Sequence, residues 1–478
     1  MGSPRVQPLV PALAGLALIA EILAARWLAP THNLVWEACV VGCTALAVAV
    51  NVRWPFGALF AMIAATAMPR YSITIGGWHA RPEHIVGGFV LVAWASHVLA
   101  SKKNVRLNIL DTLIFLYILA NYLSSATTSP DPSKTLRWAL LASLGMLPYF
   151  FIRLFGTGRR YLKNVFEILL AVGALEAAYG VICFVANGLF GTGFGVNRGF
   201  YLHGRIAAAY GSQFEPNTFG VYAGAASVMF LALYMFDSSR RRPWYGAALL
   251  VTAAGVAASL AREAVVACAV AAVFLFYWAN RRRRSVGRLL TSTLVAGTLV
   301  ALLVGTALES RFKPLITNPA GDPTTYVRLI QDKAALRDVE LHPLLGNGTD
   351  SFQLLFHWSD YVPTWASVKG YIGNTPIMVL HDTGMLGFGL FFVFALLLAR
   401  RTFRLMSVAS KEDLPLLAAL AAGMLVYAAT AMVADVTILG FFWVQVGLLT
   451  SVVCSLDAER KRIVQAPKAG PRNGVASQ

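Results

Sequence analysis

The chain has 478 residues, of which 57% are hydrophobic and only 13% charged, against about 25% charged in an average soluble domain. That balance excludes a soluble globular protein. The net charge of +17 would point to nucleic acid in a soluble chain. Here the basic residues stand in short clusters between apolar runs, with no basic stretch interleaved with stacking aromatics, so nucleic acid is excluded as a partner.

Apolar runs of bilayer length recur from Leu9 to near Val453, and a helix needs roughly 20 residues to cross the hydrocarbon core. The runs are continuous and not alternating, which predicts helices and excludes a barrel. The first run is long and no hydrophilic domain follows it, so it reads as a span and not a signal peptide. Spans are predicted to begin near Leu9, Leu34, Phe56, Ile85, Leu107, Leu136, Val165, Phe219, Trp244, Ala264, Leu289, Thr375, Leu414 and Met432. The fold class is therefore an all-α polytopic membrane helix bundle of about 12–14 transmembrane helices. Residues 1–308 form a first set of spans, 309–373 a large extracytoplasmic loop with helices, 374–455 the last spans, and 456–478 a disordered cytoplasmic tail.

Alternating spans bring the clusters at Lys102–Arg106, Arg159–Lys163, Arg240–Arg242, Arg281–Arg284, Arg400–Arg404 and Arg460–Arg462 to one side. By the positive-inside rule this side, with both termini, is cytoplasmic. The stretch Trp244–Asn280 lies between two such clusters, so it predicts a hairpin turning at Ser259–Glu263 on the outer face. Three further outer segments stand out: His79–His84, Gly188–Glu215 and Glu309–Gly373. In the last, Asp322–Pro323 predicts a helix start, Val327, Ile330 and Ala334 its apolar face, and Pro343 and Gly346 its end. All five cysteines (Cys39, Cys43, Cys183, Cys268 and Cys454) lie in apolar runs and read as packing residues. Outer-loop disulfides are excluded, because those loops contain no cysteine.

Arg205, Arg262 and Arg328 all fall on the outer side and suggest an anionic substrate. Arginine keeps its proton and forms bidentate bonds to phosphate, so two or three could stabilise a departing diphosphate. Each has an ordinary alternative: a solvated loop residue, a snorkelling interfacial arginine, or an exposed position on a surface helix. No Asp/Glu/His cluster of metal-binding type accompanies them, so neither a metal nor a cofactor is expected. Asp111, Glu167 and Glu176 lie within spans and must face protein or water, most simply in structural roles.

Three stretches carry a family resemblance. GRIAAAYGSQFEPNTFGVYAG resembles an Arg–Gly–Phe–Pro–Asn segment entering a span, and SLAREAVVA resembles a Ser–Arg hairpin turn. VRLIQDKAALRDVELHPLLGNGTDSF resembles a short helix followed by Pro–Leu–Leu–Gly–x–Gly, with the glycine-ended span VLHDTGMLGFGLFF after it. In this order, over Arg205 to Ala395, the chain resembles the O-antigen ligase and polymerase superfamily of bacterial membrane glycosyltransferases.

That resemblance implies a C-type glycosyltransferase-like protein of the bacterial inner membrane. Its site would be periplasmic and its reaction inverting and metal-independent. The implied donor is a polyprenyl-diphosphate-linked glycan, and the implied acceptor another glycan or lipid A core. Carried over, Arg205 and Arg262 match the family's diphosphate-binding arginines, and Arg328 is a third candidate. The family's last motif begins His–Asn about eleven residues before the span glycine. Counting back from Gly384 gives Gly373–Asn374, so that His is absent. His381 is then the candidate general base, with His342 and His357 in the loop as others. The missing His favours a polysaccharide polymerase over a ligase. The competing class is a transporter or lipid flippase, which predicts charges along a mid-membrane path. A non-catalytic assembly partner would survive loss of both Arg205 and Arg262.

Overall fold

A computed structural model of the protein describes residues 55–75, 78–88, 90, 107–155, 158–202, 206–281, 323–356 and 370–465. The chain is mostly helical. Among the described residues, seven helices are long and apolar enough to cross a membrane. The spans expected near Leu9, Leu34 and Leu289, and Cys39 and Cys43, lie outside the described residues.

Helix α1 (Pro55–Thr66) leads into an antiparallel hairpin of β1 (Ile73–Ile75) and β2 (Trp78–Ala80), followed by a helical stretch at 82–88. Helices α2 (Ile109–Thr127), α3 (Pro132–Phe155) and α4 (Arg159–Phe190) come next. A second hairpin, β3 (Val196–Leu202) with β4 (Ile206–Ala209), separates α4 from α5 (Pro216–Phe236). Then come α6 (Arg242–Ser259), α7 (Arg262–Arg281), α8 (Pro323–Val339), the single turn α9 (Phe352–Leu355), α10 (Thr375–Val408), α11 (Leu414–Thr430) and α12 (Gly440–Gln465). The two short hairpins interrupt a chain that is otherwise the expected all-α bundle. Both lie between helices, and in β4 the run Ala207–Ala209 is fully buried against α4 and α6.

Helix α5 is the centre of the bundle, apolar on every side and almost wholly buried, as expected for a helix with no polar stripe. Its small residues allow close neighbours. A Cβ added at Gly220 would lie 2.5 Å from Ser259 Oγ and 2.8 Å from the Ala261 Cβ, the small-residue contact by which membrane helices pack. The turn between α6 and α7 is closed by Leu260 in the left-handed region (φ 53°). This is the hairpin expected from the flanking basic clusters.

At one end of the bundle, polar contacts join α2 to α3, α4 to α6 and α11, and α10 to α12. Asp111 accepts two bonds from Arg153, at 2.7 and 2.6 Å, and one from the Tyr149 hydroxyl at 2.8 Å. Glu167 pairs with Arg241 at 2.7 Å, and Arg404 with Asp457 at 2.7 Å. At the other end, Glu176 accepts from Ser212 N at 2.8 Å and Ser212 Oγ at 2.7 Å. All three acidic residues flagged within spans thus have partners, and Asp111 also completes the capping box of α2 with Asn108.

Two boundaries differ from expectation. The last helix starts at Gly440 and not near Met432, because residues 431–439 form an irregular segment tied to the start of α10. Thr375 Oγ1 donates to Ala434 O at 2.8 Å and accepts from Val436 N at 3.1 Å. Helix α12 also continues to Gln465, past the expected end at 455, through the good helix formers of Ser455–Gln465.

Candidate functional site

Helix α10 is broken at Gly384, whose φ is 59° and ψ −167°. A break leaves carbonyls and N–H groups without helical partners, and these must be satisfied elsewhere. The Pro–Leu–Leu–Gly–Asn–Gly segment at 343–348 supplies them. Asn347 N donates to His381 O at 2.8 Å and Gly348 N to Asp382 O at 3.1 Å. Met385 N donates to Pro343 O at 2.9 Å and Leu386 N to Leu344 O at 3.1 Å. The backbones approach so closely that a Cβ on Gly346 would lie 2.5 Å from Thr383 N, and one on Gly384 would run into the Leu344 carbonyl.

The end of α2 completes this junction. Ser124 Oγ donates to Asp382 O at 2.6 Å and accepts from Gly348 N at 2.9 Å, while Thr128 Oγ1 donates to Gly346 O at 2.6 Å. Asp350 N then donates to Asp382 Oδ2 at 2.8 Å. The junction therefore holds two carboxylates side by side, one from the loop and one from the broken helix.

Both face a cavity of about 960 Å³ at this end of the bundle. On one wall Asp350, Asp382 and Asp435 come together, with Arg81 close to Asp435. Burial, together with the charges of Asp382 and Asp435, pushes the Asp350 carboxyl up to about 8. Burial pushes Asp435 up to about 6, with Asp382 raising it further and Arg81 opposing. Three carboxylates that repel one another in a poorly solvated wall do not all ionise together. Asp350 therefore keeps its proton to higher pH than an exposed carboxyl does. Arg81 is anchored by the Ile438 carbonyl, lies 3.6 Å from Glu83, and stacks 4.7 Å over the Phe214 ring. Burial raises Glu83 to about 7 and lowers the neighbouring His84 to about 3.

A second wall brings together Glu215, Glu263, Arg328 and Tyr371, which interact electrostatically. Surrounding protein raises the Glu215 carboxyl, Glu263 raises it further, and Arg328 opposes. Lys134 and Arg137, on the first turns of α3, add positive charge to the rim. A cavity with carboxylates on both walls and cations between can hold a polyhydroxylated ligand bearing an anionic group.

The expected site residues fall as follows. Arg328, on α8, lines the cavity. Arg262, the first residue of α7, is half-buried beside it, and its neighbour Glu263 forms the wall. Arg205 and His357 lie outside the described residues. His342 Nδ1 lies 3.0 Å from Asn347 Oδ1, within the junction. His381 is 0% exposed and stands behind the cavity wall. Its Nδ1 is 2.8 Å from Asp382 Oδ1, its Nε2 is 3.7 Å from Asp338 Oδ2, and its ring edge meets Phe352. Asp382 separates it from the cavity. At Gly373 an added Cβ would lie 3.7 Å from the Arg328 side chain, so the place of the missing His borders an arginine. Asn374 remains as the N-cap of α10, accepting from Ile377 N at 3.2 Å.

The carboxylates of the cavity were not among the expected site residues. Asp350 and Asp382 sit inside the two stretches that carry the resemblance, and Glu263 follows Arg262. Asp435 was hidden in a run read as a span, where a lone carboxylate is itself a signal.

No curated protein matches the chain. Residues 247–392 match the family model described as O-antigen ligase. This segment contains the α6–α7 turn, α8, the 343–348 junction and the break at Gly384, and over it the chain is similar to the O-antigen ligase and polymerase superfamily.

Proposed function

We propose that the protein is a membrane glycosyltransferase that moves a glycan from a polyprenyl-diphosphate carrier onto an acceptor hydroxyl. The reaction takes place on the periplasmic face of the bacterial inner membrane, without a metal and with inversion. The observation that carries this reading is Arg328 in the wall of a large cavity that also holds acidic side chains, within the segment that matches the family. Its guanidinium, with those of Arg262 and Arg205, grips the diphosphate and stabilises the charge that grows on it as the glycosidic bond breaks. Asp350, Asp382 and Asp435, in the same cavity lining, bind sugar hydroxyls. His381 orients Asp382 through their 2.8 Å contact. The glycine at 373 favours a polysaccharide polymerase over an O-antigen ligase.

Glycan transfer in proteoliposomes tests the proposal. Purified protein receives a short polyprenyl-diphosphate-linked oligosaccharide from its host, beside Arg262→Ala and Arg328→Ala. A ladder of lengths, lost in both variants, is the expected result. A single-step product that needs a lipid A core acceptor would make the protein a ligase. Folded protein that transfers to neither acceptor would sink the enzyme reading in favour of transport.

A further inference from the structure

The family resemblance leaves the proton of the acceptor hydroxyl without a taker, since Gly373 stands where the expected His would be and His381 is sealed behind Asp382. The wall beside Gly373 holds an alternative. Arg328, whose stem borders Gly373, interacts with Glu215, and Glu215 interacts with Glu263.

Glu215 occupies the N-cap of α5 but makes no side-chain cap hydrogen bond, and its neighbour Pro216 has no N–H to offer. Its carboxylate is accessible and lines the cavity. It is held there by the most rigidly packed helix of the bundle. Three further polar atoms of the same cavity lining lack hydrogen-bond partners among the described residues: Glu263 Oε1, Arg328 Nε and the hydroxyl of the buried Thr430. Unpaired buried polar atoms beside a cavity are the signature of a site completed by a polar ligand.

We propose that Glu215 is the proton acceptor of the transfer reaction, with Glu263 as the neighbouring carboxylate that tunes it. The step balances. The acceptor hydroxyl oxygen bonds to the anomeric carbon and its proton passes to the Glu215 carboxylate. The bond from that carbon to the diphosphate oxygen breaks, and the diphosphate leaves with the electron pair, facing Arg328. Neighbouring carboxylates repel each other, which strengthens the base that remains ionised. The groups facing Glu215 are Glu263 from α7, Arg328 from α8 and Tyr371 from the segment before α10.

This inference rests on the glycan-transfer reading, and wild-type transfer tests that reading separately. The experiment measures kcat and KM across pH 5–9 in proteoliposomes for wild type, Glu215→Gln and Glu263→Gln, with thermal melts in detergent as the folding control. In wild type kcat rises with pH through the titration of Glu215. Glu215→Gln is expected to melt like wild type, lose roughly 100-fold or more in kcat, keep KM within about threefold, and lose the acid limb of the profile. Glu263→Gln removes a like charge, so its acid limb moves to lower pH. Retention of more than about a third of kcat in Glu215→Gln, or an unmoved limb in Glu263→Gln, overturns the proposal. Inactive, correctly folded wild type would overturn it together with the function it rests on. If Glu215→Gln does not fold, the Glu263→Gln limb alone decides.

Discussion

The amide of Asp350 is bonded to the carboxylate of Asp382 across 2.8 Å. Asp350 itself has a positive φ of 57°. A strained loop residue and a residue of a broken helix are thus locked into one wall of the cavity. Neither position is set by the hydrophobic core. Both depend on the backbone ladder between residues 343–348 and the break in α10.

That ladder makes Gly384 irreplaceable. Gly384→Ala puts a Cβ into the Leu344 carbonyl at a positive φ, which strains the backbone and separates the two segments. A loss of about 2–3 kcal/mol is expected, read as a lower melting temperature in detergent. Transfer activity should fall more than stability, because Asp350 and Asp382 move apart.

The Asp111–Arg153–Tyr149 cluster lies at the opposite end of the bundle from the cavity. Arg153→Ala leaves a buried carboxylate without its partner and should cost about 3–5 kcal/mol. Replacing both members with apolar residues, Asp111→Leu with Arg153→Met, should recover most of that loss. Transfer per folded molecule should stay within about twofold of wild type in the double variant. A cluster that mattered to turnover would fail this comparison.

Asp350 gives stability a pH dependence of definite sign. Its carboxyl is raised from 3.8 to about 8 in the folded protein. Between those values the unfolded chain has released the proton and the folded protein has kept it. Stability therefore falls as pH rises from about 4 to about 8 and levels above that. Melting temperature measured across pH 5–9 should decline, and Asp350→Asn should flatten the decline. A decline of the same slope in the variant would assign it to other groups.

His381 and Asp382 separate a positioning role from direct contact. Asp382→Asn alters a group in the cavity and should raise KM and lower kcat together. His381→Gln keeps a side chain behind the wall, and should lower kcat by about tenfold with little change in KM. A pH profile unchanged in His381→Gln would agree with a residue that orients Asp382 and takes no proton from the acceptor. Loss of the acid limb in that variant would instead restore His381 as the base.

Much of the bundle was legible because bilayer-length apolar runs and basic clusters are one-dimensional signals. The hairpin at Ser259–Glu263 followed from two clusters that had to share a side. The start of α8 followed from Asp322–Pro323. The cavity was less legible, since its walls join residues far apart in sequence: Asp350 with Asp382 and Asp435, and Glu215 with Glu263 and Arg328. Asp435 was lost because eleven of the fourteen residues from Val426 to Leu439 are hydrophobic, so the segment read as a span. Helical spacing alone does not tell which of His381 and Asp382 reaches the cavity: the structure buries His381 and lines the cavity with Asp382.

Helix α5 has almost no lipid-facing surface, and Glu215 sits at its tip. Bilayer thickness and lateral tension act on a protein where it touches lipid, so they reach this residue only through the helices packed around α5. The position of the carboxylate is therefore insulated from the mechanical state of the membrane. Turnover should be much the same in short-chain and long-chain lipids, even if the rate at which the lipid-borne donor arrives is not.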